Sequence, residues 1–355
     1  MVLRDAAEYL ARNRRKVFWT VALIAIAGLV AVYSICVTQY PISFAEAWQN
    51  VSDHLHGTLS LETYRDRLCN YIVWDGLVPR AIVGILVGAV LGVCGAVMQS
   101  SIRNPLADPY TTGISSGALL GVSLFVIFGV SIVPGLSYDL GMMVSAFIFA
   151  LIPCAVVILF SMYRKVTPTV MILIGLAITY IFSACTTLLR YTCSDEDSAT
   201  IYAWSVGTLG KASWDAVPYL LLIFVLLFAA MMAVSRSLNI LSTDDRSAVS
   251  MGVNPVRLRI ICLIVVSLAT TVAVCFTGTI GFVGLVAPHL TRIFVGSNCR
   301  YLIPASAAMG GVMLIAADCL ARVVGSTGVP VGVVTALVGG PIFLIVLMRQ
   351  RKSAW

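Results

Sequence analysis

The sequence predicts an all-α integral membrane protein of about ten transmembrane helices. Three observations lead there. Only 11% of the 355 residues are charged while 59% are hydrophobic, whereas a soluble domain carries about 25% charged residues. The apolar residues gather into long uncharged runs. The basic residues between those runs sort by side.

The first run, 17–37, is uncharged and too long for a signal-peptide core, and no small-residue cleavage site follows it, so it reads as a retained helix. Similar runs occupy roughly 81–100, 114–133, 140–161, 169–189, 216–235, 258–277, 279–296, 302–321 and 330–348. Each approaches or exceeds the ~20 residues that cross ~30 Å of hydrocarbon. The stretch 279–296 is the weakest, because its glycines suit a short or broken helix, which is tolerated where protein or water covers it.

With the N-terminus in the cytoplasm, most of the 23 Lys and Arg fall in cytoplasmic segments. The exceptions are Arg65, Arg67, Arg80, Arg190, Lys211 and Arg322. This positive-inside pattern places the protein in the cell membrane with both termini cytoplasmic. It explains the +7 charge without a nucleic-acid partner. The expected organisation is a basic N-terminus at 1–16, resting on the anionic inner leaflet, a single transmembrane domain at 17–348 and a tail at 349–355. Of the ten cysteines, most lie in spans, where thiols act as small hydrophobes. Cys69 and Cys193 fall outside, where a disulfide is chemically allowed.

The longest outer segment, 38–79, is expected to fold back over the outer face. Its His54 and His56 lack further ligands for a metal and read as surface polar groups. Gly84, Gly88 and Gly92 recur every four residues on one helix face and allow close backbone approach, whether for packing or beside a pathway. Arg103–Pro109 (RNPLADP) is a turn. The inner loop 237–257 is long enough for two short helices. It suits either a docking platform or a solvated connector. His289 reads as hydrogen-bonded structure. Asp318 has Arg322 four residues on, an i,i+4 pair. Isolated intramembrane carboxylates are costly, and too few are present for a proton relay. Segments 80–109 and 257–292 share a loose plan, as an inverted repeat would. The sequence contains no GxxxxGK[ST], HExxH or CxxC motif, so no catalytic residue, metal site or bound cofactor is expected in this chain.

Five ordered stretches then resemble one family: IVWDGLVPRAIVGILVGAVLGVCGAVMQSSIRNPLADPYTTGISSGALLG, LNILSTDDRSAVSMGVNPVRLR, GTIGFVGLVAPHLTRIFVG, IPASAAMGGVMLIAADCLAR and PVGVVTALVGGPIFLIVL. They are similar to the permease subunits of iron–siderophore, haem and cobalamin ABC importers, the type II importer fold, from about Ile72 to Gln350. The resemblance implies a dimer of permeases, homomeric or heteromeric. It implies two ABC ATPases, which carry ATP and Mg, on the cytoplasmic side and a substrate-binding protein outside. It implies ATPase coupling through Ser242, Thr243, Asp244, Asp245, Arg246 and Gly252. Binding-protein docking falls to Arg80 and Arg322, although Arg322 has Asp318 as an alternative partner. A further family arginine is replaced here by Leu77. The implied pathway is lined by the fifth span, the outer residues 200–209 and the glycine-rich 279–287. Thr179, Ser183, Thr186, Thr187, Gly281 and Gly284 are its candidate residues. A stand-alone ion-coupled carrier is the alternative.

Overall fold

The computed structural model describes residues 2–129, 133, 135–163, 167–325 and 328–350. Every regular element among them is helical. Of the expected tail at 349–355, only 349 and 350 are described, and both are helical. One helix, α1 (Val2–Ser34), runs through both the basic N-terminal stretch and the first span.

After α1 the chain forms α2 (Phe44–His56) and α3 (Tyr64–Asn70), which continues through a π-helical stretch, Tyr71–Leu77, into α4 (Val78–Ile102). A capping box starts α2, with Ser43 and Glu46 satisfying each other's backbone N–H groups. Left-handed Gly57 ends it. Its buried Ala47 and Val51 rest on Val73, Leu77 and Ala81. His54 stacks on Trp74 at 3.8 Å between ring centroids, and the Trp214 indole N–H donates to the Trp74 carbonyl at 2.9 Å. The 38–79 segment is thus a structured cap on the Arg80 end of α4. Cys69 and Cys193 are both free thiols.

A turn and a short 3-10 helix, Pro109–Thr112, lead to α5 (Ile114–Phe128), α6 (Tyr138–Tyr163), α7 (Pro168–Thr192), the short α8 (Asp195–Ser205) and α9 (Ala216–Ala233). A two-helix hairpin follows, α10 (Ser235–Leu241) and α11 (Asp245–Ser250). The chain then continues through α12 (Pro255–Thr277), α13 (Val283–Val295), α14 (Cys299–Val323) and α15 (Val331–Gln350). Among the described residues, seven helical stretches are long and apolar enough to span a membrane, and α5, α13 and 331–345 are shorter apolar helices. Span starts carry their own caps. Thr167 precedes Pro168, Asn254 precedes Pro255, and each side chain accepts from the backbone of the first turn. Lipid supplies no donors or acceptors, so helix ends must be satisfied this way or at the interface.

Helix α4 is the enclosed element. Nearly every residue from Val83 to Ile102 is buried, and it packs against α9, α12, α13 and α14. It is apolar on all sides, as a helix surrounded by others must be. Lipid tails are as apolar as Leu, so hydrophobicity alone does not drive such packing; close van der Waals fit between small residues does. A Cβ added at Gly88 would overlap the Gly310 carbonyl, and one at Gly92 the Ser306 carbonyl, both on α14. A Cβ on Gly95 would overlap the Gly284 carbonyl of α13. Gly84 is less confined: a Cβ added there would stand 3.2 Å from the side chains of Leu209 and Ile315. Three of these four glycines are backbone-to-backbone contacts.

Candidate functional site

The stretch 279–296 does not form a helix from its start. Gly278 leaves α12 at φ 69°, ψ −168°, and Phe282 adopts a left-handed conformation, φ 68°. Only then does α13 begin. A bulky residue at positive φ is an outlier, and here the surrounding contacts hold it. Phe282 lies against Gly339 and Gly340 of α15. The Thr208 N–H donates to the Thr277 carbonyl at 2.7 Å, and the Gly332 N–H donates to the Gly207 carbonyl at 3.1 Å. Gly207 abuts Thr279, and Gly332 abuts Val206. The end of α8, the break and the start of α15 therefore meet at one place. Two of the three expected pathway segments, 200–209 and 279–287, come together there.

The turn after α4 supports the same region. Asn104 accepts from the Leu106 N–H at 2.9 Å and Asp108 from the Tyr110 N–H at 3.2 Å. From there the chain returns into the bundle. The Ile280 N–H donates to the Tyr110 hydroxyl at 3.4 Å, and the Asp108 carboxylate flanks Gly284. Gly284 therefore sits in packed interior, whereas a Cβ on Gly281 would meet nothing within 4 Å.

The candidate hydroxyls of α7 divide. Thr179 and Thr187 donate to the carbonyls of Gly175 and Ser183, each at 2.9 Å. Ser183 and Thr187 are exposed. Thr186 is buried and its hydroxyl has no hydrogen-bond partner among the described residues. One face of α7 is open, showing Leu173, Tyr180, Ile181 and Leu188.

At the Arg80 end, Asp318 on α14 is 1% exposed and serves two arginines. Arg80 donates from Nε to both carboxylate oxygens (3.1 and 3.0 Å) and from Nη2 to Oδ1 (2.7 Å). Arg322 donates from Nε to Oδ2 at 2.8 Å, and its Nη2 also contacts Oδ2. The remaining nitrogen of Arg322 donates to the carbonyls of Ser34 and Val37 at 2.7 and 3.2 Å. Arg322 is therefore buried and occupied, tying the end of α1 to α14, where an exposed docking residue was one expectation. The pair with Asp318, the other expectation, forms. Arg80 keeps 22% of its side chain exposed and lines a cavity of about 480 Å³ with Thr38, Gln39, Thr208 and Val329. The Arg80 partnership is the part sequence reasoning missed.

At the Arg103 end, the hairpin α10–α11 shows exposed Arg246, Val249, Ser250, Met251 and Gly252. Ser242 and Thr243 donate to carbonyls of their own turn. Asp244 caps α11, accepting from the Arg246 N–H at 3.1 Å. Asp245 pairs with arginines of neighbouring elements while 39% of its side chain stays accessible. It receives Arg259 Nη1 and Nη2 at 2.8 and 2.7 Å and Arg103 Nη2 at 2.9 Å. This fork-to-fork pairing is the strong geometry for a carboxylate, and it occupies the group expected to face the ATPase. The hydrogen bonds from Arg259, with the charges of Arg259 and Arg103, hold the Asp245 carboxyl below its usual range.

His289 donates from Nδ1 to the Leu285 carbonyl, 2.8 Å away, a contact within α13. Among the described residues no cluster of three or more His, Cys, Asp or Glu could hold a metal.

A family model described as the FecCD transport family matches residues 23–349. The chain belongs to the FecCD transport family. It is similar to the hemin transport system permease of Yersinia pestis, 35% identical over 83% of this chain and 90% of that one. The cobalamin import system permease of Halobacterium salinarum is 38% identical over 77% and 72%. The molybdate import system permease of Haemophilus influenzae is 30% identical over 81% and 84%. A metal-chelate type ABC transporter in an inward-facing conformation superimposes with a TM-score of 0.79, at 28% identity, covering 93% of this chain and 98% of that one. This FecCD chain is an ABC transporter permease and an integral membrane protein. Such permeases are transport subunits, so the chain is not an enzyme.

Proposed function

We propose that the chain carries an iron–siderophore, haem or cobalamin-type substrate into the cytoplasm by alternating access, driven by a separate ATPase. The observation that carries this reading is the α10–α11 hairpin. It is a short polar platform whose Arg246, Val249 and Met251 are exposed, on a chain whose sequence holds no nucleotide-binding P-loop. A solvated connector has no need to expose Val249 and Met251, 63% and 66% accessible. A groove on a soluble ATPase would cover them.

The remaining assignments follow from that orientation. The hairpin end is cytoplasmic and the Arg80 end is extracytoplasmic, in agreement with the sorting of basic residues. A substrate-binding protein docks at the Arg80 end, where Arg80 meets an acidic side chain, while Arg322 stays behind it holding Asp318. A second permease, identical or related, covers the open faces of α7 and of α15, which shows Leu337, Val338, Leu344 and Ile345. The pathway then runs between the two permeases past Ser183 and Thr187 to the break at Gly281. Relatives that carry hemin, cobalamin and molybdate support a metal chelate or oxoanion as the substrate class, with chelates favoured by the neighbouring metal-chelate type structure.

The test is purification from native membranes in gentle detergent, with partners identified by mass spectrometry, followed by reconstitution. A P-loop ATPase recovered at equal stoichiometry, with ATP-dependent uptake into vesicles, is the expected result. Uptake by the chain alone, driven by an ion gradient, would replace this reading with a secondary carrier.

A further inference from the structure

We propose that Asp245 is the joint through which movement of the hairpin reaches the core, and that it does this without touching the ATPase. The inference rests on the ABC reading above and deepens it.

Asp245 is the first residue of α11, and although 39% of its side chain stays accessible, both of its carboxylate oxygens are taken by arginines of other elements. Arg259, in the first turns of α12 and 5% exposed, grips both of its oxygens. The Nε of Arg259 donates to the Ser101 carbonyl in the last turn of α4, at 2.9 Å. Arg103, the residue that ends α4, adds its own ion pair at 2.9 Å and reaches Asp244 at 3.5 Å. Arg103 is one of two non-glycine residues at positive φ among the described residues, so the chain bends sharply where the arginine turns toward α11. One carboxylate therefore connects three elements: the hairpin, the start of α12 and the end of α4.

What lies beyond that joint is stiff. The Gly88, Gly92 and Gly95 contacts set α4 against the backbones of α14 and α13, and packed interiors transmit displacement rather than absorb it. Gly95 meets Gly284 just past the break at Gly278–Phe282. At the far end, Arg80 fastens α4 to Asp318. A pull on α11 thus passes through Asp245 to α4 and α12, and from α4 through Gly95 to α13 beside the break. This is a contiguous physical connection of the kind that carries coupling between distant sites. An ATPase partner would meet the outward side chains, Arg246, Val249 and Met251, and the load would leave the hairpin through Asp245.

The experiment uses the whole complex of permease, ATPase and binding protein in vesicles, with substrate uptake and ATP hydrolysis measured together. For Asp245→Asn, the expected result is normal co-purification of the ATPase and continued hydrolysis, with substrate moved per ATP reduced about tenfold, a typical coupling magnitude. Asp245→Glu, which keeps the charge, is expected to restore most of the ratio. Arg103→Gln, at the more exposed of the two ion pairs, should give a smaller loss of the same kind. It decides the matter if Asp245→Asn does not fold. An unchanged ratio in the folded variants overturns the proposal. Loss of the ATPase from the Asp245→Asn complex also overturns it, since Asp245 would then be a docking residue. A wild-type chain that binds no ATPase sinks the importer reading itself, whereas a coupled wild type beside an equally coupled Asp245→Asn sinks the joint alone.

Discussion

Gly95 on α4 and Gly284 on α13 meet backbone to backbone, so closely that a Cβ on Gly95 would overlap the Gly284 carbonyl oxygen. The neighbour is main chain, so no side chain can swing aside. Gly95→Ala is expected to destabilise the folded state by at least about 1–3 kcal/mol, the usual cost of overpacking, and to lower the monodisperse fraction in size-exclusion chromatography. Gly84→Ala faces only the side chains of Ile315 and Leu209 at 3.2 Å. It should cost less, and equal damage from both would show that these contacts do not limit packing.

Asp318 carries the opposite kind of constraint. It is almost fully enclosed and is the shared partner of Arg80 and Arg322. Asp318→Asn leaves two guanidiniums without a counter-charge, and breaking a buried pair in this way costs about 3–5 kcal/mol. Thermal unfolding in detergent should show a clear fall in midpoint. Arg80→Gln should lower it less, because Arg80 is partly exposed and Arg322 still neutralises Asp318. An Asp318→Asn midpoint within error of wild type would refute the assignment.

Adjacent glycines on α15 give a sharper comparison. A Cβ on Gly339 would stand 2.6 Å from the Phe282 Cβ, whereas one on Gly340 would be 3.9 Å from the ring edge. Gly340→Ala should be neutral or slightly stabilising, since Ala is favoured over Gly in a helix by about 1 kcal/mol. Gly339→Ala must displace Phe282 from the break, and transport should drop with it. Matching stability and uptake in the two variants would argue against Phe282 as a fixed element.

The Asp245 carboxyl is held below its ordinary range by its arginines, which fixes the sign of its pH dependence. A depressed carboxylate contributes its full stabilisation above the ordinary carboxylate pKa and loses it as pH falls through the depressed value. Hydrogen exchange at the α11 amides should therefore stay slow, after correction for intrinsic rates, from neutral pH down through the ordinary carboxylate range. It should quicken only below that. Asp245→Asn should remove the acid transition, and a transition at neutral pH would contradict the pairing.

The amino-acid sequence by itself determined the class of protein, the number of apolar helices and most of their positions. These depend on local composition: a run of about twenty uncharged residues must become a helix if it is to cross lipid. It also exposed the Gly84–Gly88–Gly92 stripe, the two-helix reading of 237–257 and the i,i+4 pair of Asp318 with Arg322, because each lies within a few residues. The stretch 279–296 showed its irregularity through its glycines, although the sequence did not place the helix start at Val283. Tertiary structure decided what joins across the chain. Arg80 finds Asp318 across 238 residues, and Arg259 and Arg103 both find Asp245. Gly95, one step off the four-residue spacing, became the tightest contact to α13 because α13 begins where Phe282 turns it. Arg322, expected to meet either Asp318 or a binding protein, went to Asp318, and Asp245, still 39% accessible, took arginines of its own chain, for one physical reason. A charge at the edge of a nonpolar bundle is stabilised most by the nearest opposite charge, and only the folded chain determines which charge is nearest.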